Sequence, residues 1–234
     1  MTTYVLVHGA WGGAHTWKLV RPRLSTAGHH VFTPGLTGVG DRVHLASPQV
    51  GLTTHINDVV NQIVYEDLSD IVLLGFSYGG MVVTGALARI AERVRELVYL
   101  DAFVPSDGQS VGGLTGGPFA AAGSLGEPWL IPPRPRAIDD PVESAWSDLR
   151  RTPQPARTFT EAVQLQMPIE GYPFGRTYIK ALDDPRRTDG PNHFWDVAER
   201  VRDHPAWRYR EIETNHMIPQ NRPAELVQIL LELA

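Results

Sequence analysis

The chain has 234 residues, a formal net charge of −5 and no cysteine. This length fits one α/β domain with a large buried core, and the acidic balance argues against a nucleic acid partner because it offers no broad basic surface. The missing cysteines exclude disulfides, thiolate catalysis and cysteine metal sites, and they fit a reducing cytoplasm, the compartment we expect.

The N-terminus and the hydropathy pattern predict no membrane partner. The chain runs from Met1 directly into the apolar residues 4–7, without the basic region and small-residue cleavage site of a signal peptide. No apolar run approaches the ~20 residues that span a bilayer. A chain that had lost a leader would show the same pattern.

The first part of the chain alternates between predicted strands and helices. Residues 4–7 form a buried strand that leads into HGAWGG at residues 8–13, whose glycines allow a loop over the carboxyl end of the strand. A helix follows and ends at Gly28, with Pro22 tolerated only near its first turn. Residues 30–32 then form a second short strand.

The central sequence feature is a serine in a tight turn between a strand and a helix. An amphipathic helix over residues 56–64 precedes the apolar strand at residues 71–74, and GFSYGG at residues 75–80 leads into a small-residue helix over residues 81–91. A strand, a G-x-S-x-G turn and a helix predict a nucleophile elbow, which exposes the serine hydroxyl at the N-terminus of the helix. Ser77 is therefore the predicted nucleophile of a covalent mechanism.

The alternation stops between residues 105 and 175. A strand at residues 97–100 precedes this region, which is rich in glycine and proline and interleaved with large aromatic side chains. A structureless segment of this length is unusual in a compact domain, so we predict an inserted lid of short helices. The predicted core then comprises residues 1–104 and 176–234.

The last part of the chain resumes the alternation. Residues 177–182 and 207–212 are predicted strands, separated by a helix around Phe194 and followed by a terminal helix that begins at Pro223. Together with the preceding strands, they predict an α/β fold with a mostly parallel sheet of about six strands and helices on both faces.

A nucleophilic serine needs a base within hydrogen-bond reach and an acid that orients the base. His216 is the predicted base, because it lies in a polar turn between the last strand and the last helix. Three acids are candidates. Asp183 and Asp184 follow the strand that ends at residue 182, while Asp101 ends the strand after the elbow. We favour Asp184.

Acyl transfer also needs hydrogen-bond donors that face the developing oxyanion. The backbone N–H of Tyr78, directly after the serine, is the first predicted donor. The second should come from the loop after the first strand, where Ala10 is best placed and where His8 is assigned a structural role. This chemistry requires no metal and no organic cofactor.

Four motifs in this order resemble the α/β-hydrolase superfamily. They are VLVHGAW at residues 5–11, GFSYGGM at residues 75–81, YLDAFVP at residues 99–105 and NHM at residues 215–217. More closely, the chain resembles the branch that contains plant methyl esterases, hydroxynitrile lyases and related bacterial esterases. The resemblance implies an α/β-hydrolase fold whose parallel core carries an inserted helical lid.

The resemblance also implies roles for individual residues. In that branch the acid lies six residues after the tyrosine of a Tyr-Ile or Tyr-Val strand, so Tyr178 would place it at Asp184. The alanine of His-Gly-Ala supplies the second oxyanion donor, which supports Ala10. Phe103 and Trp129 are expected to line the substrate pocket.

Two positions separate an esterase from a hydroxynitrile lyase. The lyases of this branch carry a threonine after the first-strand histidine and a lysine after the catalytic histidine, where this chain has Gly9 and Met217. Met217 is instead a candidate for the pocket wall. We therefore predict a serine carboxylesterase that cleaves an ester of a small, largely apolar molecule through an acyl-enzyme on Ser77. The alternatives are a C–C bond lyase or hydrolase that uses the same serine and histidine, and a non-enzymatic small-molecule receptor.

The predicted partner is thus a small-molecule ester. Arg134, Arg136 and Arg157 of the lid are interpreted as solvated surface in preference to a site for an anionic substrate. The sequence leaves open how the lid shapes the pocket and whether the chain forms a homodimer through the lid or the sheet edge.

Overall fold

The computed structural model describes residues 1–116, 119, 128–186 and 191–234. Its strands, in chain order, are β1 (Thr3–Val7), β2 (His30–Phe32), β3 (Ile71–Phe76), β4 (Val94–Leu100), β5 (Leu130–Ile131), β6 (Gln154–Pro155), β7 (Gly175–Ala181) and β8 (Arg208–Ile212). A six-stranded sheet has the order β2-β1-β3-β4-β7-β8, and every neighbouring pair in it is parallel. The predicted parallel sheet is confirmed. β5 and β6 form a separate antiparallel pair.

Short and medium helices connect these strands. They are α1 (Arg21–Thr26), α2 (Leu52–Tyr65), α3 (Gly79–Ile90), α4 (Val111–Thr115), α5 (Pro141–Asp148), α6 (Arg157–Thr160), α7 (His193–Arg202), α8 (Ile218–Asn221) and α9 (Pro223–Glu232). The first helix begins at Arg21, which puts Pro22 in its first turn. Within the described ranges, every helix is too short or too polar to cross a membrane.

Successive strand residues face two separate hydrophobic cores, one on each side of the sheet. In β3, Val72 and Leu74 belong to one core and Leu73 belongs to the other. In β4, Val98 and Tyr99 divide in the same way. Because side chains of a strand alternate between faces, strands buried on both faces need the nearly continuous apolar runs seen in the sequence.

Helices cover both faces of the sheet, as predicted. On the face of Leu73, α2 contributes Val60 and α7 contributes Val197. On the opposite face, α1 contributes Leu24 and α9 contributes Leu226. The sheet is thus the middle layer of three, the arrangement expected of a parallel α/β fold.

The ends of β3 and β4 bring two polar residues side by side. Phe76 pairs with Leu100, so Ser77 and Asp101 are the first residues beyond two adjacent strands. The Ser77 N–H donates to the Leu100 carbonyl at 3.1 Å, and the Asp101 N–H donates to the Ile179 carbonyl at 2.7 Å. This edge holds the carboxyl ends of the parallel strands, where open α/β sheets bind their ligands.

Residues 105–175, the predicted lid, carry short helices and the β5–β6 pair in their described part. Trp11 joins them to the loop after β1. Its indole N–H donates to the Ile131 carbonyl at 3.0 Å, its backbone N–H donates to Gln154 Oε1 at 3.0 Å, and its carbonyl accepts from the Thr152 N–H at 3.1 Å. The segment therefore packs against the edge that carries Ser77, while its division from the core as a lid stays a prediction.

Candidate active site

Ser77 lies in a strained turn between β3 and α3. Its φ is 54°, in the left-handed region that residues with a side chain rarely adopt. Glycines allow the close approach of the neighbouring chain: a Cβ at Gly75 would lie 2.7 Å from the backbone of Gly79, and one at Gly80 would collide with the Phe103 carbonyl oxygen. The local geometry is that of a nucleophile elbow.

Ser77, His216 and Asp101 form a continuous hydrogen-bonded chain. His216 Nε2 lies 2.8 Å from Ser77 Oγ, and His216 Nδ1 lies 2.6 Å from Asp101 Oδ2. With its proton on Nδ1, the imidazole donates to the carboxylate and leaves Nε2 free to accept the serine proton. All three residues are buried. The arrangement can therefore activate the serine hydroxyl in a site that is largely shielded from water.

Asp101 is the carboxylate hydrogen-bonded to His216, the role for which the sequence favoured Asp184. Asp101 directly follows β4, the strand beside that of Ser77, and its φ of 40° is also in the left-handed region. Asp184 follows the end of β7 after two intervening residues. Its carboxylate comes within 4.8 Å of the side-chain donor atoms of Asp101 and His216, but the imidazole hydrogen bond goes to Asp101. The geometry thus corrects the preference for Asp184.

A buried lysine shares the Asp101 carboxylate. Lys180 Nζ lies 2.7 Å from Asp101 Oδ1, donates to the Ala181 carbonyl at 2.6 Å and lies 4.3 Å from the centre of the Trp195 ring. Burial raises the pKa of Asp101, but the hydrogen bond and charge of His216 and the charge of Lys180 together lower that pKa below its ordinary value. Asp101 is therefore held as a carboxylate.

Two aromatic rings fix the orientation of the imidazole. Phe194 of α7 stacks on His216 with ring centroids 5.1 Å apart and an interplanar angle of 8°. Phe76 of β3 contacts the same ring at 4.9 Å and 32°. These contacts restrict rotation of His216 about its side-chain bonds, so both ring nitrogens stay aligned with Ser77 and Asp101.

The two predicted oxyanion donors lie beside Ser77 and have no internal hydrogen-bond acceptor. Within the described residues, the N–H groups of Ala10 and Tyr78 donate to no protein atom. A Cβ at Gly9 would lie 3.0 Å from Ser77 Cβ, so the loop after β1 passes directly alongside the serine. Ala10 also lines the same narrow cavity as Ser77. Unpaired N–H groups in this position can stabilise an oxyanion.

Two other buried histidines support the structure around the site. His8 accepts from the Leu36 N–H at 3.3 Å and donates to the carbonyl of the next residue at 2.8 Å. His55 accepts from the Tyr78 hydroxyl at 2.9 Å and donates to the Thr37 carbonyl at 2.8 Å. Burial lowers the pKa of each to about 4. Both rings are therefore neutral at pH 7, which agrees with the structural role assigned to His8.

Two cavities adjoin the site. A narrow cavity of about 30 Å³ is lined by Ser77, His216, Met217 and the loop after β1. A cleft of about 550 Å³ is lined by Phe103 and by residues of α7. Phe103 and Met217, both predicted pocket residues, thus lie on cavity walls. Trp129 lines neither of these two cavities, and 37% of it is exposed, so the structure does not bring it to the site.

The residues present do not favour a metal centre. Asp101, Asp184 and His216 are the described side chains whose donor atoms lie close enough together, within 4.8 Å, to share an ion. However, Lys180 already places a positive charge 2.7 Å from Asp101, and His216 is hydrogen-bonded to Ser77. A cation would have to displace both interactions.

Sequence reasoning missed Lys180 and Phe194 as residues of the site. Lys180 lies between Ile179 and Ala181 in an apolar strand, and a lysine buried in this way needs an acidic partner. Because β7 is adjacent to β4, that requirement points to Asp101. The stacking of Phe194 on the imidazole has no such local signal, since it depends on where α7 packs.

The comparisons with known proteins agree with this geometry. The model of the alpha/beta hydrolase family matches residues 4–229. The carbendazim hydrolyzing esterase of Nocardioides sp. (strain SG-4G) is 37% identical over 254 aligned residues, which cover 100% of both chains. The alpha-hydroxynitrile lyase of Arabidopsis thaliana is 31% identical over 108 residues, 44% of this chain and 40% of the lyase.

A solved structure extends the likeness to the whole fold. The extracellular alpha/beta-hydrolase from a Paenibacillus species superposes with a TM-score of 0.80 at 24% sequence identity, covering 99% of this chain and 98% of that one. These findings confirm the resemblance drawn from the sequence motifs. The chain belongs to the alpha/beta hydrolase family.

Proposed function

We propose that the protein is a serine carboxylesterase that cleaves esters of small molecules through an acyl-enzyme on Ser77. The observation that carries the proposal is the hydrogen-bonded chain from Ser77 Oγ to His216 at 2.8 Å and from His216 to Asp101 at 2.6 Å. A full-length relative that is named an esterase supports the reaction class. No metal or organic cofactor takes part in the proposed reaction.

In the first step, Ser77 Oγ attacks the carbonyl carbon of the ester while His216 Nε2 accepts the hydroxyl proton. Asp101 stabilises the protonated imidazole, and Lys180 stabilises the Asp101 carboxylate in its buried surroundings. The carbonyl oxygen becomes an oxyanion that accepts hydrogen bonds from the two unpaired backbone N–H groups beside the serine.

In the second step, His216 gives its proton to the alcohol oxygen, the bond between the carbonyl carbon and that oxygen breaks, and the alcohol leaves. Water then attacks the acyl group on Ser77 and transfers a proton to His216. The second tetrahedral intermediate collapses, Ser77 Oγ recovers the proton, and the carboxylic acid is released. The net reaction is one ester and one water to one acid and one alcohol.

The walls of the larger cleft support a substrate with an apolar or aromatic part. Phe103, Phe119, Phe194 and Trp195 line this cleft of about 550 Å³, which is large enough for a small organic molecule. Carbendazim is a candidate substrate because the full-length relative is named for its hydrolysis. Aromatic faces of this kind bind flat apolar groups through burial of their surface.

The proposal is tested by the hydrolysis of p-nitrophenyl acetate, butyrate and octanoate, and of carbendazim, by the wild type and Ser77→Ala. Loss of Ser77 should lower kcat by about 10⁴- to 10⁶-fold, as expected when a triad serine is removed. Ser69→Ala, at an exposed serine, is the matched control and should retain wild-type turnover. Normal ester turnover by Ser77→Ala would contradict the mechanism.

Product analysis separates this function from its alternatives. An esterase releases an acid and an alcohol, whereas a hydroxynitrile lyase releases a carbonyl compound and cyanide. Gly9 and Met217 occupy the positions where the lyases of this branch carry threonine and lysine, which favours the esterase. Tight ligand binding without turnover, unaffected by Ser77→Ala, would indicate a receptor.

A further inference from the structure

Arg136 is shared by the two cavities of the candidate active site. It lines the narrow cavity that contains Ser77, and it also lines the larger aromatic cleft. No other described residue lines both. An ester that extends from the cleft to the serine would therefore have Arg136 as a neighbour at both ends.

The guanidinium of Arg136 is partly buried and lacks an internal partner. Within the residues that the structure describes, it forms no hydrogen bond and no ion pair. Burial lowers the pKa of Arg136, and the charge of Asp184 opposes this effect only in part. Arg134 and Arg157 are exposed, as the interpretation of the lid arginines as solvated surface expects, whereas Arg136 is only partly exposed.

A second arginine faces the same narrow cavity. The side chain of Arg151 is 9% exposed, and its ion pair with Asp148 spans 4.0 Å to a carboxylate that is itself 57% exposed. Burial and the charge of Arg136 both lower the pKa of Arg151. Two positive charges thus lie close together beside the narrow cavity, and nearby carboxylates of the protein neutralise them only weakly.

The remaining wall of the narrow cavity offers no negative charge. Among the described residues that line it there is no aspartate or glutamate. Gln220 is also part of the wall, and its buried Oε1 has no hydrogen-bond partner in the described part of the chain. A side-chain amide can turn either its oxygen or its NH₂ group towards a ligand.

We propose that Arg136 and Arg151 form an anion subsite beside Ser77, and that the preferred substrate is an ester that carries a carboxylate close to its scissile carbonyl. This inference rests on the proposed esterase function and refines its substrate class. A guanidinium binds a carboxylate through two parallel N–H···O bonds, which are stronger than hydrogen bonds between neutral groups. A bound carboxylate would also add negative charge beside two partly buried arginines whose internal compensation is weak.

The volumes of the two cavities limit the size of each part of this substrate. The narrow cavity of about 30 Å³ admits only a small group next to the serine, while the cleft of about 550 Å³ accommodates a larger apolar part. A short hemiester of a dicarboxylic acid is therefore a suitable probe for the subsite. Monomethyl succinate carries the carboxylate, and methyl 4-oxopentanoate matches its length with a neutral ketone.

The test is the ratio of kcat/KM for monomethyl succinate to kcat/KM for methyl 4-oxopentanoate. The wild type should prefer the anionic ester by about 10- to 100-fold, the range expected for a charge-assisted hydrogen bond. Arg136→Gln should bring the ratio close to one, and Arg151→Gln should lower it in part. Arg157→Gln makes the same change at a side chain that is 56% exposed and should leave the ratio as in the wild type.

A wild-type ratio of one or below, or an unchanged ratio in both folded variants, would overturn the inference. Turnover of the neutral ester alone would support the esterase function and refute the anion subsite. If neither ester is hydrolysed, calorimetric titration of the Ser77→Ala protein with both compounds decides the question without turnover. Tighter binding of monomethyl succinate that is lost with Arg136→Gln supports the subsite, and equal binding of the two compounds refutes it.

Discussion

Lys180 places its ammonium group 2.7 Å from Asp101, the carboxylate that accepts the hydrogen bond of His216. Both Asp101 and Lys180 are fully buried. The pair is neutral as a whole, so Asp101 remains ionised without contact with water. Removing either partner of a buried pair leaves an uncompensated charge and typically destabilises a protein by about 3–5 kcal/mol.

Replacing Lys180 by methionine should move the acid limb of the kcat/KM profile to higher pH. The ammonium is one of the groups that lower the pKa of Asp101, while burial, which raises this pKa, remains in the variant. The loss of the ammonium removes a positive charge from beside the hydrogen-bonded Asp101–His216 pair, so the pair binds a proton at a higher pH, and we expect a shift of about one pH unit, or ~1.4 kcal/mol.

The comparison variant is Lys180→Arg, which keeps the positive charge and should keep the acid limb within a few tenths of a pH unit even if kcat falls. Both profiles are measured on the same p-nitrophenyl ester. If the acid limb of folded Lys180→Met is the same as that of the wild type, Lys180 contributes only packing and not its charge.

Asp101→Asn and Asp184→Asn separate the two candidate acids. Asp101→Asn removes the carboxylate at 2.6 Å from the imidazole, and kcat should fall by about 10³- to 10⁴-fold. Asp184→Asn changes a carboxylate that is not the hydrogen-bond partner of the imidazole, and its effect should stay below about tenfold. Steady-state kinetics decide between them, and the opposite order of effects would restore Asp184 as the acid.

Gly80→Ala should destabilise the fold, because Gly80 lies at the end of the tight turn after Ser77. A Cβ at this position would collide with the Phe103 carbonyl oxygen, so we expect the free energy of unfolding to fall by about 2–4 kcal/mol. The same substitution at Gly113 places the Cβ 3.4 Å from Ser110 Oγ and should be neutral or stabilising by up to ~1 kcal/mol. Urea unfolding measures both, and equal stability of the two variants would contradict this account of the turn.

His55 should make the protein less stable as the pH falls from about 6.5 to 4. Its pKa is lowered to about 4 in the fold, while the unfolded chain binds the proton near 6.5, so the unfolded state gains protons first. The free energy of unfolding then decreases with falling pH by up to ~1.4 kcal/mol per pH unit for this residue.

Glutamine at position 55 can donate and accept one hydrogen bond each without titrating, so His55→Gln should reduce the slope between pH 6 and pH 4. Urea unfolding at several pH values gives the slope, and His44→Gln at an exposed histidine serves as the control. A slope in His55→Gln equal to that of the wild type would show that this histidine does not contribute.

Much of the fold could be predicted from the sequence because its signals are local. The apolar runs of β3 and β4 and the G-x-S-x-G turn after residue 74 depend on neighbouring residues, and each was placed near its observed position. Ser77 and His216, which are hydrogen-bonded in the structure, were singled out in the same way, since each follows a predicted strand. The order of the parallel strands brings these residues to the same edge of the sheet.

The carboxylate that is hydrogen-bonded to His216 could not be predicted by the same means. Asp101 and Asp184 both follow strands, and the choice between them depends on side-chain packing across the sheet, where Lys180 and His216 both meet Asp101. The partial burial of Arg136 is another outcome of long-range packing, because it depends on how residues 105–175 lie against the loop after β1.

The most direct test of the central claim is mass spectrometry of the protein after brief reaction with p-nitrophenyl acetate. We expect one acetyl group on the peptide that contains Ser77 in the wild type, formed together with a burst of p-nitrophenolate, and no acetylated peptide in Ser77→Ala. An unmodified Ser77 in protein that turns over the ester, with equal turnover by Ser77→Ala, would contradict it.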